Sequence, residues 1–232
     1  MAEVSQQDSE HYGFLTSLPF SDPQAALQEI AYAVDTLKAD GFVLPTNHQG
    51  IYLSDERLDP LLKELHRRSA VVLIHPSEPV QPAFPERPQA VYEFPFDTTR
   101  AVMELIYTGK LQRYPDIRWI VSHAGGTIPY LAYRLSIVSR EAEMITQEPE
   151  EVIAALRSLY YDLALSTSPL VFQVLRELVG SSHILFGTDF PMRPERGVAQ
   201  SIEQFFTYPD FPANEQHLIA NQTARALFPR FR

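Results

Sequence analysis

The stretch Ile117-Arg-Trp-Ile-Val-Ser-His123-Ala-Gly-Gly126 decides how the chain is read: a short apolar run ends in a polar residue and is followed at once by a backbone breaker. The same grammar occurs in Ala70-Val-Val-Leu-Ile-His75-Pro76 and in Leu185-Phe-Gly-Thr-Asp189-Phe-Pro191. Dense apolar runs of this length suit strands buried on both faces, as in a parallel sheet. Working outward, six strands are expected, at residues 13–18, 41–46, 70–75, 117–123, 159–166 and 183–189.

Between them the apolar residues fall three and four apart, the helical period. Asp22-Pro23 starts a helix through Ala26, Leu27, Ile30, Val34 and Leu37 that ends near Asp40-Gly41. Asp97 reads as the cap of a helix over 98–107 stopped at Gly109, with further helices over 127–143, 169–178 and 213–228. The Pro-rich segment 76–95 reads as a long loop after His75. No linker divides this alternation, so the expected organisation is a polar leader over 1–12 and a single domain over 13–232.

Six strand–helix units fit an open doubly wound sheet or a TIM-type (β/α) barrel that lacks its first one or two units. No Gly-x-Gly-x-x-Gly or Walker pattern follows the first strand, so nucleotide binding has no support. A barrel ordinarily takes about 250 residues and eight strands; this chain has 232 residues.

Composition narrows the function classes. With 45% hydrophobic residues the chain can bury a sizeable core. A net charge of -10 with no basic stripe excludes nucleic acid and anionic membrane as main partners. The absence of cysteine rules out disulfides, a thiolate nucleophile and a cysteine zinc site, so any metal must be held by His and carboxylate. The start has neither a basic segment nor an apolar core, and no stretch reaches the ~20 apolar residues of a membrane span. A cytoplasmic protein is expected.

His75, His123 and Asp189 are the candidate chemical residues. One strand-end histidine alone is best read as a hydrogen-bonded structural residue. Three residues in one grammar point the other way, because in a parallel barrel the C-terminal ends of the strands meet at one rim, where imidazole and carboxylate can share a metal or a substrate. Asp162 is read as structural rather than facing the site, and Asn47-His48 as a solvated loop pair. His66 closes a helix, His183 opens a strand away from the rim, and His217 lies on a helix surface. Phe94, Phe96 and Tyr107 are read as core.

The pieces Leu73-Ile-His75-Pro76, Ser122-His-Ala-Gly-Gly126 with Pro129 and Arg134, and Leu185-Phe-Gly-Thr-Asp189-Phe-Pro191 resemble the amidohydrolase-related, metal-dependent decarboxylases. Glu93-Phe-Pro-Phe-Asp-Thr-Thr-Arg100 is most similar to the 6-methylsalicylate branch. The resemblance runs from about Gly13 to the end. It implies a distorted TIM barrel with one divalent metal, zinc foremost and manganese as the alternative, and non-oxidative decarboxylation of a small aromatic carboxylate, here in secondary metabolism. It implies His75 as a metal ligand, Asp189 as a ligand that also moves a proton, and His123 as acid/base. It implies a homodimer in which Arg134 reaches a substrate carboxylate; the other reading of Arg134 is an exposed helix arginine. The family's His-x-His pair has no counterpart among the seven histidines. Two other functions stay open: hydrolysis of a lactone or amide-like bond, and a truncated homologue without catalysis.

Overall fold

The computed structural model describes residues 1–141 and 145–231. Six parallel strands form one sheet in the order β1 (Leu15–Ser17), β2 (Gly41–Pro45), β5 (Val71–His75), β6 (Arg118–Val121), β7 (Tyr160–Asp162) and β8 (Ile184–Leu185). A separate antiparallel hairpin, β3 (Asn47–His48) and β4 (Ile51–Tyr52), follows β2. The main sheet runs in sequence order without reversal. It therefore has no switch point of the doubly wound kind, and the winding is that of a TIM-type barrel. Among the described residues β1 and β8 each pair on one side only.

Side-chain alternation divides the sheet into two faces. Val72 and Ile74, Trp119 and Val121, Tyr161 and Ile184 enter a large core. That core is completed by α2 (Pro23–Ala31), α3 (Asp59–Arg67), α4 (Glu93–Tyr107), α6 (Ile128–Ile137), α7 (Pro149–Ser158), α8 (Pro169–Val179) and α9 (Glu195–Phe206). The alternate residues Val71, Leu73, Ile120, Tyr160 and Leu185 join a small cluster on the inner face, closed by Ala224, Leu227 and Phe228 at the end of α11 (Thr223–Leu227). Helices thus cover one face, with a single helix end on the other.

The elements follow from local chemistry. Ser168 caps α8 by accepting from the Val171 N–H, with Pro169 at its first turn. Asp22 caps α2 through the Ala25 N–H, and that helix continues as a π-turn to Leu37, stopped by left-handed Lys38 before Gly41. The expected final helix is α10 (Ala213–His217), a π-turn and α11, in one helical path.

Several expectations need correction. Asp97 is not a cap: α4 begins four residues earlier, at Glu93, so the loop after His75 ends there and Asp97 lies buried inside the helix. Within the polar leader Ala2–Gln7 forms α1, and Arg230 donates to the Ser9 and Tyr12 carbonyls. Helices α7 and α9 were not foreseen, nor the short α5 (Lys110–Arg113). The helix expected over 127–143 is α6 followed by a 3-10 turn to Glu141; its expected end at Glu143 lies outside the described residues, as does Arg232.

Gly126 holds the rim against α4. Its φ is +66°, and a Cβ there would stand 2.1 Å from the Pro95 carbonyl oxygen. Gly126→Ala is therefore expected to lower stability by more than about 2 kcal/mol, read as a drop in urea midpoint at constant slope.

Candidate metal centre

His75 closes β5 within the ladder, whereas the ladder ends before His123 and Asp189, where the backbone leaves the extended region. His123 has φ +54° and Asp189 φ +61°, left-handed values that no sheet ladder accommodates. By alternation His75 and Asp189 lie with the inner face, whereas His123 should follow Trp119 and Val121 outward. The left-handed turn reverses it: its ring centroid lies 5.3 Å from that of His75, edge to face. Asp162 locks this turn by accepting the backbone N–H of His123 at 2.8 Å and of Ala164 at 3.0 Å. Burial outweighs those two donors and pushes the Asp162 carboxyl up to about 6.

His75 Nε2 stands 3.7 Å from Asp189 Oδ1, and His123 Nε2 stands 3.8 Å from Asp189 Oδ2. One ligand atom from each of the three residues falls within 4.8 Å of the others, the one such group among the described residues. His123 Nε2 is buried and has no hydrogen-bond partner. Burial, followed by the neighbouring His75 charge, lowers the His123 pKa against the opposing pull of Asp189, which favours a neutral imidazole. Two imidazoles and a carboxylate around an orphaned ring nitrogen fit a divalent cation, with positions left for water or substrate. The lining of a cavity of about 370 Å³ includes this trio, with Ala90, Val91, Phe94, Leu165 and Met192 as its apolar walls.

Other expectations fare unevenly. Arg134 sits on α6, exposed, and is not among the residues lining this cavity. Phe94 lines the cavity and Phe96 is exposed, so neither is core, while Tyr107 donates to the Leu135 carbonyl. Asn47 is not solvated: it is buried and donates to Asp97. Asp162 has the structural role expected of it. The remaining histidines are placed elsewhere, His11 on Asp8, His66 accepting the Asp116 N–H, His183 stacked on Tyr160 and His48 beside Phe20.

Asp97 was missed as part of the site's support. Thr46 and Tyr52 hydroxyls and the Asn47 amide all donate to its carboxylate. Thr46 Oγ1 in turn accepts the Ser77 N–H, and the Thr46 N–H donates to the His75 carbonyl at 3.0 Å. The chain on either side of the His75 peptide is thereby tied to α4, the helix that carries Phe94 and Pro95 into the cavity wall. Burial and this carboxylate push the Tyr52 hydroxyl up to about 12. The signal in the sequence was Asp97 itself, a charged residue four positions inside an amphipathic pattern.

The fold and this rim define an amidohydrolase-type barrel centre, and the chain belongs to the amidohydrolase family, whose model matches residues 1–230. It is 36% identical over 240 residues to the 6-methylsalicylic acid decarboxylase of Penicillium expansum, covering 100% of this chain and 73% of that protein. A solved amidohydrolase II superposes with a TM-score of 0.90 at 26% identity, over 98% of this chain and 74% of that one. The manganese-bound 5-carboxyvanillate decarboxylase of Novosphingobium aromaticivorans has the same fold, with a TM-score of 0.88 at 20% identity over 98% of this chain and 67% of that one. No helix among the described residues is long and apolar enough to cross a membrane.

Asp97→Ala removes the acceptor shared by Thr46, Asn47 and Tyr52, of which Asn47 keeps the Glu78 carbonyl and Thr46 keeps Ser77 Oγ. The expected cost is about 3 kcal/mol by equilibrium denaturation, against about 1 kcal/mol for Asp97→Asn, which keeps one acceptor oxygen.

Proposed function

We propose that the chain is a metal-dependent carboxy-lyase that removes the carboxylate of a small 2-hydroxy aromatic acid, such as 6-methylsalicylate, as carbon dioxide. The observation that carries this reading is the convergence of His75, His123 and Asp189 on one apolar-walled cavity, with a buried imidazole nitrogen that lacks a partner. His75 and Asp189 would hold a divalent cation, zinc or manganese. When bound, the cation supplies Lewis-acid stabilisation of the negative charge that develops on the substrate oxygens.

The residues divide the remaining work. Loss of carbon dioxide breaks the bond between ring carbon and carboxyl carbon and leaves the electron pair on the ring, which must take up one proton at that carbon. Asp189 or His123 can act first as base, taking the proton of the substrate's own 2-hydroxyl, and then as acid, passing it to that carbon, with solvent restoring the proton to the phenolate product. The side chains of Phe94, Leu165 and Met192 give the ring an apolar wall to pack on. His123 enters as the neutral imidazole, because burial and the neighbouring His75 lower its pKa, and is thereby free to accept a proton and hand it on.

Substrate capture would draw on Arg134. On α6 it shares a face with Tyr130 and Tyr133, which are 85% and 74% exposed, and with Ile137 and Val138. An exposed apolar stripe of this kind supports a homodimer in which Arg134 serves the partner's cavity, a planar fork suited to a carboxylate.

Two measurements test these readings. Protein dialysed against a chelator and resupplied with Mn²⁺ or Zn²⁺ should release carbon dioxide from 6-methylsalicylate, with kcat down about a thousandfold in His75→Ala and Asp189→Asn; turnover of lactones with none of salicylates would instead point to a hydrolase. In sedimentation, the parent should be a dimer and Tyr133→Asp a monomer, while Arg134→Ala stays dimeric and raises KM about tenfold.

A further inference from the structure

We propose that Leu165 is a specificity-determining residue, whose side chain meets the apolar ring substituent of the aromatic carboxylate; this rests on the carboxy-lyase reading. The proposal starts from an anomaly in the backbone. Leu165 has φ +55°, a conformation in which a Cβ crowds the following carbonyl and which leucine rarely adopts. Burial does not explain the strain. Its neighbours Leu163 and Ala164 are buried, but Leu165 is 50% exposed and belongs to neither apolar cluster.

The turn is held from outside the leucine. Ala164 N–H donates to the Asp162 carboxylate, Ser166 N–H to the Leu163 carbonyl and Ser168 N–H to the Ser166 carbonyl. Together these bonds fix the segment in a shape that glycine would adopt without strain. A single exposed apolar residue needs no explanation in general; one that is both strained and part of a cavity wall does.

The company it keeps supplies the explanation. Three residues lining the cavity, His123, Leu165 and Asp189, have positive φ without being glycine. Strain of this kind gathers where surrounding structure holds side chains in working positions. For His123 and Asp189 the work is polar. Leu165 offers only methyl and methylene surface, so what it can give a ligand is contact with an apolar part. It lines the cavity with Val91, Phe94 and Met192, which makes a slot with apolar walls beside a polar rim. A methyl group on the ring is the size of feature such a wall can sense.

The test uses two uncleavable probes in which a nitro group stands in for the carboxylate: 3-methyl-2-nitrophenol, which keeps the hydroxyl and the methyl, and 2-nitrophenol, which lacks the methyl. Each is titrated calorimetrically into the parent, Leu165→Ala and Leu165→Gly, with Mn²⁺ present. The parent should bind the methylated probe about tenfold more tightly, the discrimination that one apolar carbon gives in a fitted pocket. That preference should fall below about twofold in both variants. Leu165→Gly should melt no lower than Leu165→Ala, because glycine releases the strain that alanine keeps. An unchanged preference in Leu165→Ala overturns the proposal, as does loss confined to Leu165→Gly, which would implicate the backbone. A parent that binds both probes equally overturns it while leaving the carboxy-lyase reading intact. A parent that binds neither removes that reading, and this one with it.

Discussion

The carboxylate of Asp162, accepting the His123 N–H from the neighbouring strand, is the interaction on which the rim depends. That acceptor, together with the turn's own bonds from the Gly125 N–H to Ser122 and from the Gly126 N–H to His123, holds the chain after β6 in a left-handed turn, where alternation would otherwise carry the His123 imidazole outward into the helix-packed core. The bond therefore does more than join two strands. It moves a polar ring from the wrong face of the sheet to the right one. The cost is visible in the carboxyl group itself, raised to about 6 because burial penalises its charge more than two backbone donors favour it. Gly125 and Gly126 make the turn sterically possible, since a Cβ at either would collide with Tyr161 or with Pro95.

A second constraint acts from the other side of His75. Asp97 is a charge placed in the middle of a helix and fully buried, and each donor that satisfies it comes from the segment after β2. A buried carboxylate is tolerated only when its hydrogen bonds are supplied. That requirement turns the buried charge, which has only Arg100 at 3.8 Å as an ionic partner on its own helix, into a clamp, because the donors cannot leave without unsatisfying its oxygens. The loop after β2, the peptide at His75 and the start of α4 are consequently held as one body. Asp162 and Asp97 thus brace the cavity from opposite sides, neither of them touching its interior as a lining residue.

What could be read in the sequence was the part governed by local rules. The apolar runs gave six strands in the right order, and the breakers Pro76, Gly125-Gly126 and Pro191 marked the strand ends where His75, His123 and Asp189 gather. The strand limits were set too wide, since residues such as Asp189 adopt left-handed backbone that a hydrophobic pattern does not register. Asp97 was misjudged because an acidic residue before an apolar run looks the same whether it caps a helix or sits buried inside one; the difference lies in Thr46, Asn47 and Tyr52, about fifty positions away. Helices α7 and α9 are hard to see in the sequence because each opens on charged residues, Glu150-Glu151 and Glu195-Arg196, and only packing shows the side that buries Val152 and Phe205. Arg134 could be named from its motif, yet on α6 it is exposed and outside the cavity lining, which a local pattern does not register.

The unequal faces of the sheet explain why the site lies where it does. Nearly all packing that stabilises the fold is on the helix-covered side, where Ile30, Leu62, Leu65, Val72 and Phe172 are almost wholly buried. The inner face has only the small cluster around Val71 and Ile120, closed by the end of α11. Above that cluster the inner-facing positions become polar, at His75, Asp162 and Asp189. The chain can keep strained backbone and unpaired nitrogen there because few core contacts depend on those positions. Stability and chemistry are thus assigned to opposite faces of the same strands, and alternation lets one strand serve both. For the proposed carboxy-lyase the separation is apt: apolar walls would disfavour the charged ground state of a carboxylate, while the polar groups stand at the end where charge and proton would be handled.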